Sequence, residues 1–346
     1  MKPGLAVVIP CLNEAESLPR LLQSLAAQRG VTREVMVADG GSIDNTVQIA
    51  RSSGVRILRS ERGRARQMND GARETRCDWL LFLHADSRMD DPSLLANALR
   101  AGQDRRAALG HHRVAGHFAL RFNRRNCGHN MAWRYVEEKT AFDRPYCTNG
   151  DQGLLLPRRY FDELGGFDER LPLLEDQRLC ARIRETGVLF TLPGQLRSSA
   201  RRFEQAGFHR QYLLMALIMA MQAAGLEDFF RRAPDIYRAQ HELQRLRLLP
   251  FFRLAGRCAR KTGRWQTWMR IGRLGRENWW QLFYFFDIAL RPRLGPGRYP
   301  CLRFYERVIE PFTDNRFCDG FAASVLWLHF HLGVLPWAWW QDHRAD

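Results

Sequence analysis

Leu5–Pro10 (LAVVIP) is an apolar run too short for a helix and without polar alternation, which predicts a strand covered on both faces. The same unit recurs as Glu34–Ala38, Val55–Leu58 and Trp79–Leu83. Between the runs, apolar residues fall at helical spacing: Leu18, Leu21, Leu22 and Leu25 within Glu14–Gln28, then helices over Asp44–Ser53, with Asp44 as cap, and Arg64–Thr75. Strands alternating with helices require crossover connections and hence a mostly parallel sheet, with functional loops at the carboxyl ends of its strands. Further on, strands are expected over Val114–Phe122 and Leu154–Pro157. Helices are expected over Asn126–Thr140, Asp176–Thr186 and the uncharged Gln211–Leu226.

Polar clusters sit where the strands end. Pro10-Cys11-Leu12-Asn13-Glu14 closes the first, and Asp39-Gly40-Gly41-Ser42-Ile43-Asp44 the second. An acid at a strand's carboxyl end can accept from a nucleobase or ribose, and it can equally cap a turn. Neither G-x-G-x-x-G nor a Walker A sequence follows strand one. The fourth strand ends in Leu83-His84-Ala85-Asp86, where residues at i and i+2 project the same way and could share one divalent ion, Mn²⁺ or Mg²⁺. Gly165-Gly166-Phe167-Asp168 and then Leu174-Glu175-Asp176-Gln177 open a helix. A carboxylate there is either a cap or a general base. The arginines of Arg62-Gly63-Arg64-Ala65-Arg66-Gln67-Met68-Asn69 could hold a phosphate.

Taken in order, PxxNE, DGGSxD, FLxAD and GGFD with a downstream ED resemble family 2 glycosyltransferases of the GT-A fold, over roughly residues 4–235. FLHAD, GRARQMNDGA, GDQGLL and LLED resemble a bacterial subgroup associated with arsenosugar biosynthesis. The resemblance implies a nucleotide pocket of Pro10, Asn13, Glu14, Asp39, Arg64 and Asn69. It implies a donor-sugar or acceptor region of Gly150, Asp151, Gln152 and Arg202, and a metal motif ending in Asp86. His84 stands where the family usually has Asp, which removes a charge and favours Mn²⁺ over Mg²⁺. Asp176, with Glu175 beside it, would be the base of an inverting transfer from a nucleotide-sugar, UDP-linked by family habit, to a small or lipid-linked acceptor. A nucleotidyltransferase, or a degenerate transferase serving as a membrane or nucleic-acid binder, is the alternative.

The net charge of +16 favours anionic partners. Eleven Arg/Lys against two acids lie between Phe251 and Pro300, and eight of ten tryptophans at or beyond Trp265. The division expected is therefore a transferase domain, residues 1–235, and a basic, Trp-rich, mainly helical module, residues 236–346. Arg253, Arg257, Arg260 and Arg264 fall on one helical face beside Trp265 and Trp268. Phe321–Trp340 has no formally charged side chain but contains Gly333 and Pro336, so an interfacial or re-entrant helix is expected rather than a span. Residues 253–340 thus point either to an anionic membrane surface or to a packed accessory domain whose tryptophans form its core. No RNP, KH, helix-turn-helix or zinc-finger pattern supports nucleic acid. Eight cysteines without a CxxC pair, and no apolar signal segment at Met1, fit a cytoplasmic protein, peripheral on the inner face of the membrane.

Overall fold

The computed structural model describes residues 4–124, 128–171, 173–238, 240, 246–295 and 297–343. The chain divides into two compact units, Met1–Cys127 with Ala132–Ala200, and Gly128–Met131 with Arg201–Asp346. Residues 201–235, expected with the transferase domain, group with the second unit.

The first unit is built on β1 (Leu5–Cys11), α1 (Leu18–Ala26), β2 (Arg33–Asp39), α2 (Thr46–Ser52), β3 (Arg56–Arg59), α3 (Arg64–Arg73), β4 (Trp79–Phe82) and α4 (Leu94–Leu109). It continues through β5 (Val114–Asn123), α5 (Asn130–Lys139), β6 (Leu154–Pro157), α6 (Arg158–Glu163), α7 (Glu175–Thr186) and β7 (Val188–Ser199). The seven strands run in the order β3-β2-β1-β4-β6-β5-β7. All pairs are parallel except β4–β6 and β5–β6, so β6 is one reversed strand inside an otherwise parallel sheet. This is the mostly parallel, helix-flanked α/β sheet that the strand–helix alternation led us to expect, and it agrees with the GT-A fold that the resemblance implied.

Every residue of β1 except Pro10 is buried, as a central parallel strand with both faces covered must be. Helix α3 lies so close over β1 that a Cβ on Gly71 would stand 2.5 Å from a methyl of Val8, so only glycine fits there. Pro19 in the first turn explains why α1 begins at Leu18 rather than Glu14. Likewise α2 begins at Thr46, with Asn45 and not Asp44 in the cap position. Three elements were not anticipated, the six-residue α6 among them. Helix α4 carries Gly102 against the Trp79 ring, where a Cβ would meet it at 2.8 Å, and β7 is a 12-residue strand. The helix expected from Asn126 begins at Asn130 among the described residues, and Asn126 lies outside them.

The second unit is helical: α8 (Arg201–Ala206), α9 (Phe208–Ala223), α10 (Glu227–Arg238), α11 (Leu249–Thr262), α12 (Arg264–Glu277), α13 (Trp280–Ala289), α14 (Arg291–Leu294), α15 (Pro300–Phe304), α16 (Arg316–His329) and α17 (Leu335–His343). Residues Phe330–Val334 form a π turn that joins α16 and α17 into one helix of 28 residues. The single basic face expected from Arg253 to Arg264 is broken, because Gly263 at φ 101° ends α11 and Arg264 starts α12. Its positive φ turns the chain at a point where other residues would be strained.

Candidate active site

The ends of β1 and β2 are laced together by short polar side chains. Asn13 adopts a left-handed backbone, donates its N–H to Ser42 Oγ at 2.9 Å, and accepts from Ile43 N–H at 2.9 Å through Oδ1. Glu14 donates its N–H to Thr46 Oγ1 at 2.8 Å, and Ala15 its N–H to Asp44 at 3.1 Å. Asp39 is buried, and its carboxylate accepts from the N–H groups of Gly41 and Ser42. Its carboxylate thereby closes the DGGS turn. Beneath this lies Gln67, buried, donating to the carbonyls of Cys11 and Ala38, both at 2.7 Å. Burial and then the carboxylates of Glu14, Asp39 and Asp44 push the Cys11 thiol far up, a sign of how much negative charge gathers at this strand end. Burial alone would raise Asp44, but hydrogen bonds from Thr46 and Ala15 hold it below the usual carboxylate range.

A second cluster forms around Gly150, which opens a short 3-10 turn, Gly150–Gln152. A Cβ at Gly150 would lie 2.8 Å from His84 Nε2 and 2.9 Å from Asp176 Oδ2, so an imidazole from the end of β4 and a carboxylate from the first turn of α7 flank one backbone point. Gly150 donates its N–H to Asp176 Oδ2, and Gln177 N–H lies 2.8 Å from Oδ1. Glu175, 2 % exposed, forms an ion pair with the exposed Arg64 at 3.5 Å. Burial raises the Glu175 carboxyl, with Arg64 opposing the shift and Asp176 adding to it. Leu174 reaches these acids through a left-handed backbone at φ 65°, an uncommon conformation for a bulky residue. Such outliers concentrate at functional sites.

The sequence-derived candidates thus fall into groups. Pro10, Asn13, Glu14 and Asp39 sit together at the β1–β2 edge. His84, Gly150, Asp176, Glu175 and Arg64 converge at the second cluster. Asp86, two residues after His84, is half-buried and makes no hydrogen bond or ion pair among the described residues. Gln152 is fully buried and turned inward: Nε2 contacts His117 Nδ1 at 2.9 Å and Thr140 O at 2.8 Å, while Oε1 accepts from Asn149 N–H at 2.7 Å. It shapes the turn that presents Gly150, and Asp151 is half-buried beside it. Asn69 is buried, its amide spent on Phe167 and Glu169. Arg202 is exposed on α8 in the second unit. Sequence reasoning missed Ser42, Thr46, Gln67 and Gln177. The signal for Gln67 was available, since it lies three residues after Arg64 and so on the same side of α3.

Residues 6–165 match the Glycosyl transferase family 2 profile. Its N-terminal domain is a family 2 glycosyltransferase domain. A PGL/p-HBAD biosynthesis glycosyltransferase of Mycobacterium bovis is 29% identical over 187 residues, 50% of this chain and 67% of its own. An uncharacterized glycosyltransferase of Haemophilus influenzae is 36% identical over 85 residues, 24% of this chain and 29% of its own. Among solved structures, a mannosyltransferase from Pyrobaculum calidifontis in complex with GDP-Man and Mn2+ is 18% identical, covering 94% of this chain and 87% of its own at a TM-score of 0.49. The family 2 match and these glycosyltransferase relatives support an enzyme of the family 2 glycosyltransferase type. Both polar clusters of this glycosyltransferase belong to its first unit, and all but the Asp176–Glu175 pair lie within residues 6–165.

Among the described residues, no group of three or more His, Cys, Asp or Glu side chains is placed to hold a metal ion by itself. The donor set of the glycosyltransferase fits a different arrangement. Asp86 offers an uncommitted carboxylate and His84 an imidazole, which suits a cation shared with a substrate's phosphate oxygens rather than caged by protein.

Proposed function

We propose that this glycosyltransferase moves a sugar from a nucleoside-diphosphate donor to an acceptor hydroxyl with inversion at the anomeric carbon. The observation that carries the reading is the meeting of His84 and Asp176 at Gly150. It sets the donor-side segment His84–Asp86 next to an oriented carboxylate. The acceptor oxygen attacks the anomeric carbon as the bond to the diphosphate oxygen breaks. The electron pair leaves with the diphosphate, and Asp176 receives the acceptor's proton. A single base opposite the leaving group gives inversion. The Gly150 N–H fixes one oxygen of Asp176, leaving the carboxylate little freedom to rotate away. Arg64, poised over Glu175, is positioned to meet the growing negative charge of the leaving group. Asp86 and His84 would hold Mn²⁺ or Mg²⁺ together with the donor's phosphates, and the ion would supply Lewis-acid stabilisation of the diphosphate. The β1–β2 edge, with Asn13, Glu14 and Asp39, is where the nucleoside would bind.

UDP-sugars are the leading donors in this reading, and a lipid-linked or small hydroxylated molecule the acceptor. The seven described cysteines, all free thiols, support a cytoplasmic setting. Thermal shift with UDP- and GDP-sugars, each with EDTA, Mg²⁺ and Mn²⁺, tests the site. A ligand at 100 times its Kd stabilises by about 2.7 kcal/mol. The expected result is a metal-dependent shift with one donor series, larger with Mn²⁺. No shift with any nucleotide overturns the reading. In the same assay Asp176→Asn should keep the donor shift while transfer falls by about 10²–10⁴; undiminished turnover would remove Asp176 from the mechanism.

A further inference from the structure

The helix spanning Arg316–His343 is long and apolar enough to cross a membrane by length and composition, yet it is fastened to its own unit along its whole length. Near its start Asp319 pairs with the buried Arg276 of α12 at 2.6 Å. Near its end Asp342 is buried and accepts from Leu249 N–H, at the start of α11, at 2.9 Å, while Gln341 accepts from Arg210 at 2.8 Å. Between these, α16 is pressed onto α12. A Cβ on Gly272 would lie 2.3 Å from Asp319 O, and one on Gly275 would lie 2.5 Å from Leu326. Phe330 packs edge-on against Phe252 of α11.

The opposite side of this helix is uncovered. Phe317, Phe321, Val325, Leu328, Leu332 and Trp339 recur at steps of three, four and seven residues and form one stripe, with Phe317 83 % and Leu332 73 % exposed. From Gly320 to Gln341 no side chain carries a formal charge. Alongside one exposed acid, Glu306, the segment leading into α16 exposes Arg303, Phe304, Arg307 and Val308. With Arg298 and Tyr299 these line a cavity of about 670 Å³.

We propose that this stripe and its arginines dock the protein flat on an anionic lipid bilayer, with the helix lying in the interface rather than crossing it. The spanning alternative fails on the neighbours. For the helix to cross, α11 and α12 would have to follow it into hydrocarbon, carrying Arg253, Arg257, Arg260, Lys261, Arg264, Arg270, Arg273 and Arg276, each costly at that depth. The charge selects the occupant. Pairing the stripe with a second copy would bring together two chains of net charge +16, whereas anionic headgroups complement the arginines. This docking is independent of the sugar donor and of the transfer mechanism.

The test is co-sedimentation of the full chain with vesicles of phosphatidylcholine alone or mixed with phosphatidylglycerol. Binding is expected to the mixed vesicles and to weaken as salt rises. F317S/L332S should lower the partition coefficient by about ten-fold or more through lost apolar insertion. R303Q/R307Q, which leaves the apolar stripe and its packing intact, should weaken binding selectively to the mixed vesicles. Tryptophan quenching should be stronger with bromines near the headgroups than at the chain ends. Four results would each overturn the proposal: equal binding by both variants with unchanged melting, no vesicle binding by the parent, quenching strongest at the bilayer centre, or a dimer by light scattering that the stripe variant abolishes.

Discussion

Glu175 is a carboxylate kept dry next to another carboxylate, and Arg64 and a backbone N–H offset that arrangement only in part. Its folded-state pKa lies above the unfolded value. The folded protein therefore holds this proton more tightly than the unfolded chain, and stability falls as pH rises through the interval between the two values. Below the lower value both states are protonated and the difference vanishes. Glu175→Gln should accordingly raise the melting temperature at pH 8 and leave it almost unchanged near pH 4. Melting curves at the two pH values check this, and an equal shift at both would refute the electrostatic cause. Asp176 differs from its neighbour in being half-buried and hydrogen-bonded to a backbone amide, which suits it for chemistry while Glu175 organises Arg64. The adjacency ED is plain in the sequence. That one acid turns to Arg64 and the other to Gly150 is not, because these partners stand 111 and 26 residues away along the chain.

At the level of elements, periodicity exposed β1 to β4 because each is a short run flanked by turn-forming residues, largely buried in β1 and β4, half-buried at the start of β2, and partly open to solvent in the edge strand β3. It missed α4, whose apolar face is interrupted by Gly102 and by charged residues, and β7, which is interrupted by Pro193-Gly194. The reversed β6 was legible as a strand, but its direction was not, since a four-residue apolar run carries no mark of polarity. The tie between α3 and the Gly165-Gly166-Phe167 loop was equally invisible. Asn69 accepts from Phe167 N–H at 2.9 Å and donates to Phe167 O at 3.0 Å, so one side chain clasps a residue 98 positions away. Asn69→Ala would leave those buried backbone groups without partners, and a loss of about 2–3 kcal/mol is expected in urea unfolding. A loss below about 0.5 kcal/mol would show the loop is held some other way.

Across the whole molecule, the cysteines report how each unit is packed. Cys11, Cys77, Cys147, Cys180 and Cys258 are buried, while Cys301 and Cys318 are half-buried. Burial pushes the Cys77 and Cys147 thiols to about 11 and Cys180 to about 12. In a Cys127→Ser background, a thiol-specific chromogen at pH 8 should therefore label Cys318 first, then Cys301, and the other five only on unfolding. Rapid labelling of Cys180 in the native protein would contradict the packing of α7 against the sheet.

Position 150 illustrates how a residue without a side chain can be as intolerant of change as a catalytic one. The space beside its Cα is shared by the imidazole of His84 and the carboxylate of Asp176, and alanine, the smallest replacement, would intrude on both. In a saturation library scored for transfer, Gly150 should stand among the least substitutable positions although it takes and gives no proton. His84, by contrast, should accept Asp, which is shorter and would leave that space open. Drift at His84 is then freer than drift at the glycine that separates it from Asp176.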